Sequence, residues 1–188
     1  MIAIELPDLE NALQQLGGTP REAQWAIDRT VADVAVSGKA AATLFIFERY
    51  TFETTGPISR GIKTVALGDH AVIRFSGTRF PLKLFLPTRT DVGVEIMEVR
   101  GQRSRPLSHT FGALMQYGFG VFTRVPGAGR GPVRSMTGLS VANMARERAQ
   151  ILPEMDAHIR EQYAKRLRFW LHEAMAGNKA KYERKGAK

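Results

Sequence analysis

The sequence predicts an α+β fold: a mostly antiparallel sheet of about five to six strands, packed against a long N-terminal helix and a long C-terminal helix. Three observations carry this. Apolar or small residues recur at steps of four and three through Ala23, Ile27, Val31, Val34, Gly38, Ala41 and Phe45, the spacing of a helix with one buried stripe. The same spacing returns in Met155, Ile159, Tyr163, Leu167, Trp170, Leu171 and Ala174. Between them, from Ala71 to Met136, polar and apolar residues alternate, and a period of two belongs to strands.

Taken in order, residues 2–6 read as a short strand or arm. Pro7 opens a small helix with Leu9, Leu13 and Leu16 on one side, and Gly17–Gly18 ends it. Thr19-Pro20-Arg21-Glu22 is a strong helix start, with Thr19 as N-cap, Pro20 in the first turn and Glu22 completing a capping box. The helix it opens runs to about Arg49. Ala35, Gly38 and Ala40 to Ala42 let another backbone come close, and Gly38 costs about 1 kcal/mol against alanine in a helix interior. Thr54-Thr55-Gly56-Pro57 caps a short helix carrying Ile58, Ile62 and Val65.

Strands are then expected at Val72–Phe75, Leu82–Leu86 and Val92–Val99, joined by Gly77-Thr78 and Pro87-Thr88 turns. The stretch from Leu107 to Thr137 organises the rest. Phe111, Ala113 and Met115 alternate up to a Tyr117–Gly118 turn signal. Phe119, Val121, Thr123 and Val125 then share one face, with Phe122 and Arg124 on the other. Two alternating runs around a glycine turn predict a β-hairpin. Pro126–Pro132 follows, too rich in Gly and Pro for helix or ladder, as a basic arm returning to a strand at Val133–Met136. Ser140 caps another short helix, and Pro153 separates it from the last long one, where Glu161 and Lys165 form a solvent-facing pair. Residues 1–176 read as one domain and 177–188 as a flexible basic tail.

The chain has no cysteine among 188 residues, which excludes disulfides and thiolate metal sites. The N-terminus lacks the pattern of a signal peptide, and no uninterrupted apolar run approaches a membrane span, so no membrane partner is expected. The net charge of +9 is uneven: residues 1–59 carry 4 basic and 8 acidic side chains, and residues 60–134 carry 12 and 4. Ten of those 12 are arginine, the side chain suited to phosphate or carboxylate. Such a surface attracts nucleic acid or an acidic partner by salt-sensitive forces, or simply keeps a sheet soluble. The residues marked as facing a lumen, DNA or a partner are Arg79, Arg89, Arg100, Arg103, Arg105, Arg124, Arg130 and Arg134. Those marked as an inter-subunit arm are Phe119, Phe122, Pro126, Gly127, Gly129, Gly131 and Pro132.

Catalytic signals are thin. His70, His109, His158 and His172 lack metal-ligand spacing. Glu95 and Glu98 fall on opposite faces of one expected strand, which argues against paired carboxylates. The Gly-rich run at 127–132 lacks the Lys-Ser/Thr of a phosphate loop. No catalytic residue, metal or cofactor is assigned, and the chain reads as no enzyme.

The order of motifs is distinctive: AIDRT (Ala26–Thr30), FERY (Phe47–Tyr50), a short helix with GIK, PLKLF (Pro81–Phe85), TFGALMQYGFGVFTR, GPVRSMTGLSVANM and a closing amphipathic helix. It resembles the prophage minor tail protein Z family of lambda-like siphophages, over about residues 10–175. Asp28 stands where the family is expected to carry Asn. The resemblance implies a virion component acting at tail completion, near the neck through which DNA passes, built in the host cytoplasm. It implies self-assembly into a ring, often six-fold, by a head-to-tail interface. It also implies contacts with tail terminator, connector or tail tube proteins, and phosphate contacts that read no base sequence. The alternatives are a standalone non-specific DNA-binding protein and a terminator or adaptor of a contractile injection system.

Overall fold

The apolar stripe produces helix α1, Pro20–Arg49, which ends where the sequence puts its C-terminus. It belongs to a computed structural model that describes residues 20–68, 70–116, 118–125, 131–147, 150–178 and 182. The expected segments at 2–6 and 7–16, the cap residue Thr19 and most of the basic tail lie outside the described residues. After α1 come α2 (Gly56–Arg60), β1 (Ile62–Leu67), β2 (His70–Phe75), β3 (Arg79–Pro81) and a 3-10 turn at Leu82–Leu84. Next are β4 (Thr88–Thr90), β5 (Gly93–Glu95), β6 (Leu107–Ser108), β7 (Thr110–Met115) and β8 (Gly118–Arg124). The chain closes with β9 (Val133–Ser135), β10 (Thr137–Ser140), α3 (Val141–Glu147) and α4 (Ile151–Met175).

The chain divides into two compact units. The first draws on Met1–Ala41, Lys63–Arg74 and Leu152–Lys188. Here the α1 stripe and the α4 stripe supply the core: Ala23, Ala26, Ile27, Val31 and Val34 are buried, as are Met155, Ile159, Trp170 and Ala174. Gly38 has no side chain because there is no room for one. A Cβ there would lie 2.8 Å from Ile73 Cδ1 and 3.3 Å from Ile159 Cγ1. Polar ties flank this packing. The Trp170 indole N–H donates to Asp33 Oδ2 at 3.0 Å, with Arg166 at 3.8 Å from the same oxygen. Trp25 meets Trp170 edge to face at 5.5 Å. The Glu161–Lys165 pair forms in water as expected.

The second unit comprises Ala42–Ile62 and Phe75–Ile151. Its core gathers Ile46, Tyr50, Phe52, Ile58, Phe85, Val94, Val121 and Met144, all buried. The Tyr50 hydroxyl donates to the Met144 carbonyl at 3.2 Å, and Phe52 packs between Phe80 and Phe85 at 5.3 and 5.2 Å. Ser140 caps α3, its Oγ accepting the Asn143 N–H at 3.2 Å.

The mixed class, the antiparallel pairing and the two long helices agree with expectation, but the single sheet does not. Among the described residues the strands form four small sheets, β1-β2, β3-β10, β4-β5-β6 and β7-β8-β9. Two local departures explain the breaks, and two more move element boundaries. Leu82–Leu86 is no strand: Leu82 and Phe85 are both buried, three apart, which a 3-10 turn puts on one side and a strand does not. The strand expected at Val92–Val99 stops at Glu95, because the Ile96 N–H is taken by Ser104 Oγ at 3.0 Å. Beyond it each backbone group finds a different partner, Met97 N–H to Phe85 O at 2.8 Å and Thr51 N–H to Glu98 O at 2.9 Å. The short helix ends at Gly61, and Ile62 and Val65 belong to β1, where the β-branched Thr64 and Val65 favour a pleat. Pro153 lies inside the first turn of α4 rather than before it, a position where its missing N–H costs no helical bond.

By length and composition α1 passes as a membrane-crossing helix, with a mean hydropathy of 1.4 in its best window, although half of that window is buried within the protein's own packing. Asp33 and Lys39 interrupt it, so a search for unbroken apolar runs misses it.

Replacing Gly38 with leucine pushes a branched side chain into the space held by Ile73 and Ile159. Overpacking of this kind costs about 3 kcal/mol. Urea unfolding should give a midpoint lowered accordingly, with helical circular dichroism retained below the transition.

Candidate assembly surface

The predicted hairpin is present with the predicted faces. β7 and β8 pair antiparallel in the register Thr110↔Thr123, Gly112↔Val121 and Met115↔Gly118. Gly118, φ 93°, which opens β8, takes a conformation that glycine adopts without strain. β9 adds a third strand, pairing Thr123 with Arg134 and Arg124 with Val133. The register puts Thr110, Gly112, Leu114, Phe119, Val121, Thr123 and Arg134 on one face. The other carries Phe111, Ala113, Met115, Phe122, Arg124 and Val133.

The base of the hairpin is anchored and its tip is not. Thr110 and Val121 are buried. Thr110 Oγ1 accepts the Val94 N–H at 3.1 Å and donates to the Leu107 carbonyl at 2.5 Å. At the tip Leu114 is 81% exposed and Phe119 42% exposed. On the outer face the Phe122 ring lies over Gly120, where a Cβ would come within 2.7 Å of it. Phe111 sits 6.1 Å from Phe122, and the Arg124 guanidinium stacks 5.5 Å above the Phe111 ring. The result is a flat aromatic face edged by a cation.

Each residue marked from sequence can now be located. Arg89 donates to the Gly112 carbonyl, and Arg103 donates to Thr88 Oγ1 at 2.7 Å. That holds both cations near β4. Arg124 and Arg134 lie on adjacent strands but on opposite faces. Arg79 opens β3, opposite Ser140. Arg100 donates to the Phe47 carbonyl at 2.8 Å and lies 5.1 Å over its ring. Arg105 is exposed in the β5–β6 connection. All seven are exposed, and none forms an ion pair among the described residues. The arginines thus occupy three small sheets and their connections rather than one sheet face, because the strands carrying them do not share a ladder. Of the arm, Phe119 and Phe122 belong to β8, and Gly131 and Pro132 are exposed, with the Pro132 carbonyl accepting the Val125 N–H at 3.2 Å. Pro126, Gly127, Gly129 and Arg130 lie outside the described residues.

Two groups escaped the sequence reading. Glu98 lies beyond β5, not on its face, and its carboxylate accepts the Leu139 N–H at 3.2 Å. Burial raises its pKa above the ordinary 4.5, the Leu139 bond opposes this, and the charge of Glu147 adds to it. No spacing signal marks it, since its partner is 41 residues away. Ser37 Oγ also lies 3.1 Å from His158 Nε2. A serine in mid-helix has its neighbouring backbone N–H groups committed to helical bonds, so those amides are not free to hold an oxyanion. Among the described residues no group of three or more His, Cys, Asp or Glu could hold a metal. A cleft of about 430 Å³ bordered by Arg60, Lys83, Ser76, Thr78 and Phe80 contains no carboxylate or imidazole in its lining. The class defined by these features is a small α+β protein with an exposed, cation-edged hairpin. No family model, no curated protein and no solved structure matches this chain.

The raised pKa of Glu98 gives a pH signature. The folded state holds this proton more tightly than the unfolded state, so the stabilisation is complete below 4.5 and is lost as pH rises through the folded value. Glu98→Gln keeps an oxygen for the Leu139 N–H and removes the charge. Melting temperatures of the two proteins should coincide at acid pH, with the variant increasingly the more stable towards neutrality.

Proposed function

We propose that this protein is a structural virion component of a tailed phage or prophage, a tail-completion or head–tail junction subunit that assembles with copies of itself into a ring around the DNA channel. The observation that carries the reading is the hairpin. It is anchored at its base, bare and apolar at its tip, and edged by arginines that no acidic side chain among the described residues neutralises. A projecting apolar element of this kind gains by covering its surface with another molecule. Unneutralised arginines suit the phosphates of passing DNA or an acidic neighbour, without base readout. The order of motifs set out above supplies the tail-protein class, and tail terminator, connector or tail tube proteins are the neighbours it implies. Among the described residues the catalytic groups make no constellation that favours an enzymatic reading.

The same arginines favour a second reading, a non-specific DNA-binding protein that acts as a monomer. Mass photometry and negative-stain imaging of the purified full-length chain separate the two. Closed rings of one copy number are expected. A protein that stays monomeric at tens of micromolar, yet is retained on duplex DNA with steep salt dependence, would decide for the second reading.

A further inference from the structure

We propose that the outer face of the β7-β8-β9 sheet of one copy docks on the exposed ridge of α1 of the next copy. The proposal rests on the self-assembling reading above and names the two surfaces it uses. On α1, the residues away from the buried stripe include Val36, Ala40, Leu44 and Glu48, all exposed. Val36 is 68% and Leu44 53% exposed, two large aliphatic side chains in water on a helix whose other side is core. From Val36, Leu44 lies about 12 Å and Glu48 about 18 Å along the axis, at 1.5 Å per residue.

The outer sheet face repeats that spacing. Met115, 38% exposed, pairs with Gly118 at the turn. From there Phe122 lies about 13 Å and Arg124 about 20 Å along β8, at roughly 3.3 Å per residue. Each surface therefore presents an aliphatic side chain, then a larger apolar one, then a charge, and the charges are of opposite sign. Between the first two, Ala40 lies about 6 Å from Val36, which brings it opposite Gly120, the position covered by the Phe122 ring. A single methyl group there leaves a hollow between Val36 and Leu44, and the flat ring is the group that can enter it. The wider charge distribution agrees: residues 1–59 hold 8 acidic and 4 basic side chains, against 4 and 12 in residues 60–134. Because the two patches differ, the contact is head-to-tail, the kind that closes into a ring or continues as a filament.

The absence of cysteine from the chain makes the test specific. Full-length Val36→Cys and Met115→Cys proteins, both substituted at exposed positions, are mixed and oxidised. A disulfide-linked pair containing one of each is expected, well above the yield from either protein alone. In parallel, Glu48→Arg and Arg124→Glu should each weaken self-association about tenfold, and the protein carrying both should recover it. Circular dichroism and melting curves matching the parent establish that the fold is kept. Rings that form without the mixed disulfide, or charge variants that associate like the parent, would overturn the docking mode while leaving the ring intact. A dominant Met115→Cys homodimer would replace it with a face-to-face contact. A chain that never associates removes both this mode and the reading beneath it.

Discussion

The outer face of the hairpin depends on Gly120 having no side chain. The Phe122 ring occupies the volume a Cβ would need, and from that position it reaches Phe111, which in turn carries the Arg124 guanidinium. Remove the vacancy and the ring must stand off the sheet, which breaks the stack and lifts the cation from its seat. One missing methyl group thus fixes the shape of the face, the half-burial of two aromatic rings and the direction of a charge. The anchoring is separate. Thr110 holds the base by two hydrogen bonds and Val121 by burial, so the strands leave a fixed foundation while Leu114 at their far end is 81% exposed.

The first unit works by a different rule. Its α1 and α4 stripes interlock around a glycine, and polar groups at the flank of that packing pair across the two helices, Asp33 with Trp170 and Ser37 with His158. Polar pairs at such positions favour one register of helix against helix, because slipping by a turn would break the Trp170–Asp33 and Ser37–His158 contacts. Apolar burial supplies most of the driving force, and the polar ties supply specificity.

The helices were legible because their cause is local. A stripe of period 3.6 contains most of the information that α1 needs, and its C-terminal end fell where that stripe put it. The hairpin was legible for the same reason, its pairing being set by a glycine turn and an alternation on either side. What sequence could not supply was the fate of strands whose partners lie far away. Leu82–Leu86 alternates as well as any strand, yet the burial of Leu82 together with Phe85 requires a turn. Val92–Val99 alternates too, and ends early because Ser104 captures one amide. The single broad sheet was lost at those two places. At the candidate surface the arginines were legible as a chemical type and a charge excess. Their scatter over several sheets was not, and neither was Glu98, whose environment is made by Leu139 and Glu147.

The balance of charges narrows what such a surface can do. Seven exposed arginines that form no ion pair among the described residues repel one another, a cost the fold would avoid by pairing them with its own acids if nothing else were at stake. The acids exist, since residues 1–59 carry an excess of them, and none of the described ones forms an ion pair with these guanidiniums. Several guanidiniums instead spend their donors on backbone carbonyls or lie over rings, contacts that hold the cation in place without neutralising it. A held, unneutralised cation is preorganised for a partner of opposite sign, because less side-chain freedom remains to be lost on contact. The apolar tip makes the same demand through a different force. An exposed leucine and phenylalanine gain nothing from phosphate but gain when an apolar surface covers them, so tip and arginines together support the proposed assembly more than the proposed DNA contact alone.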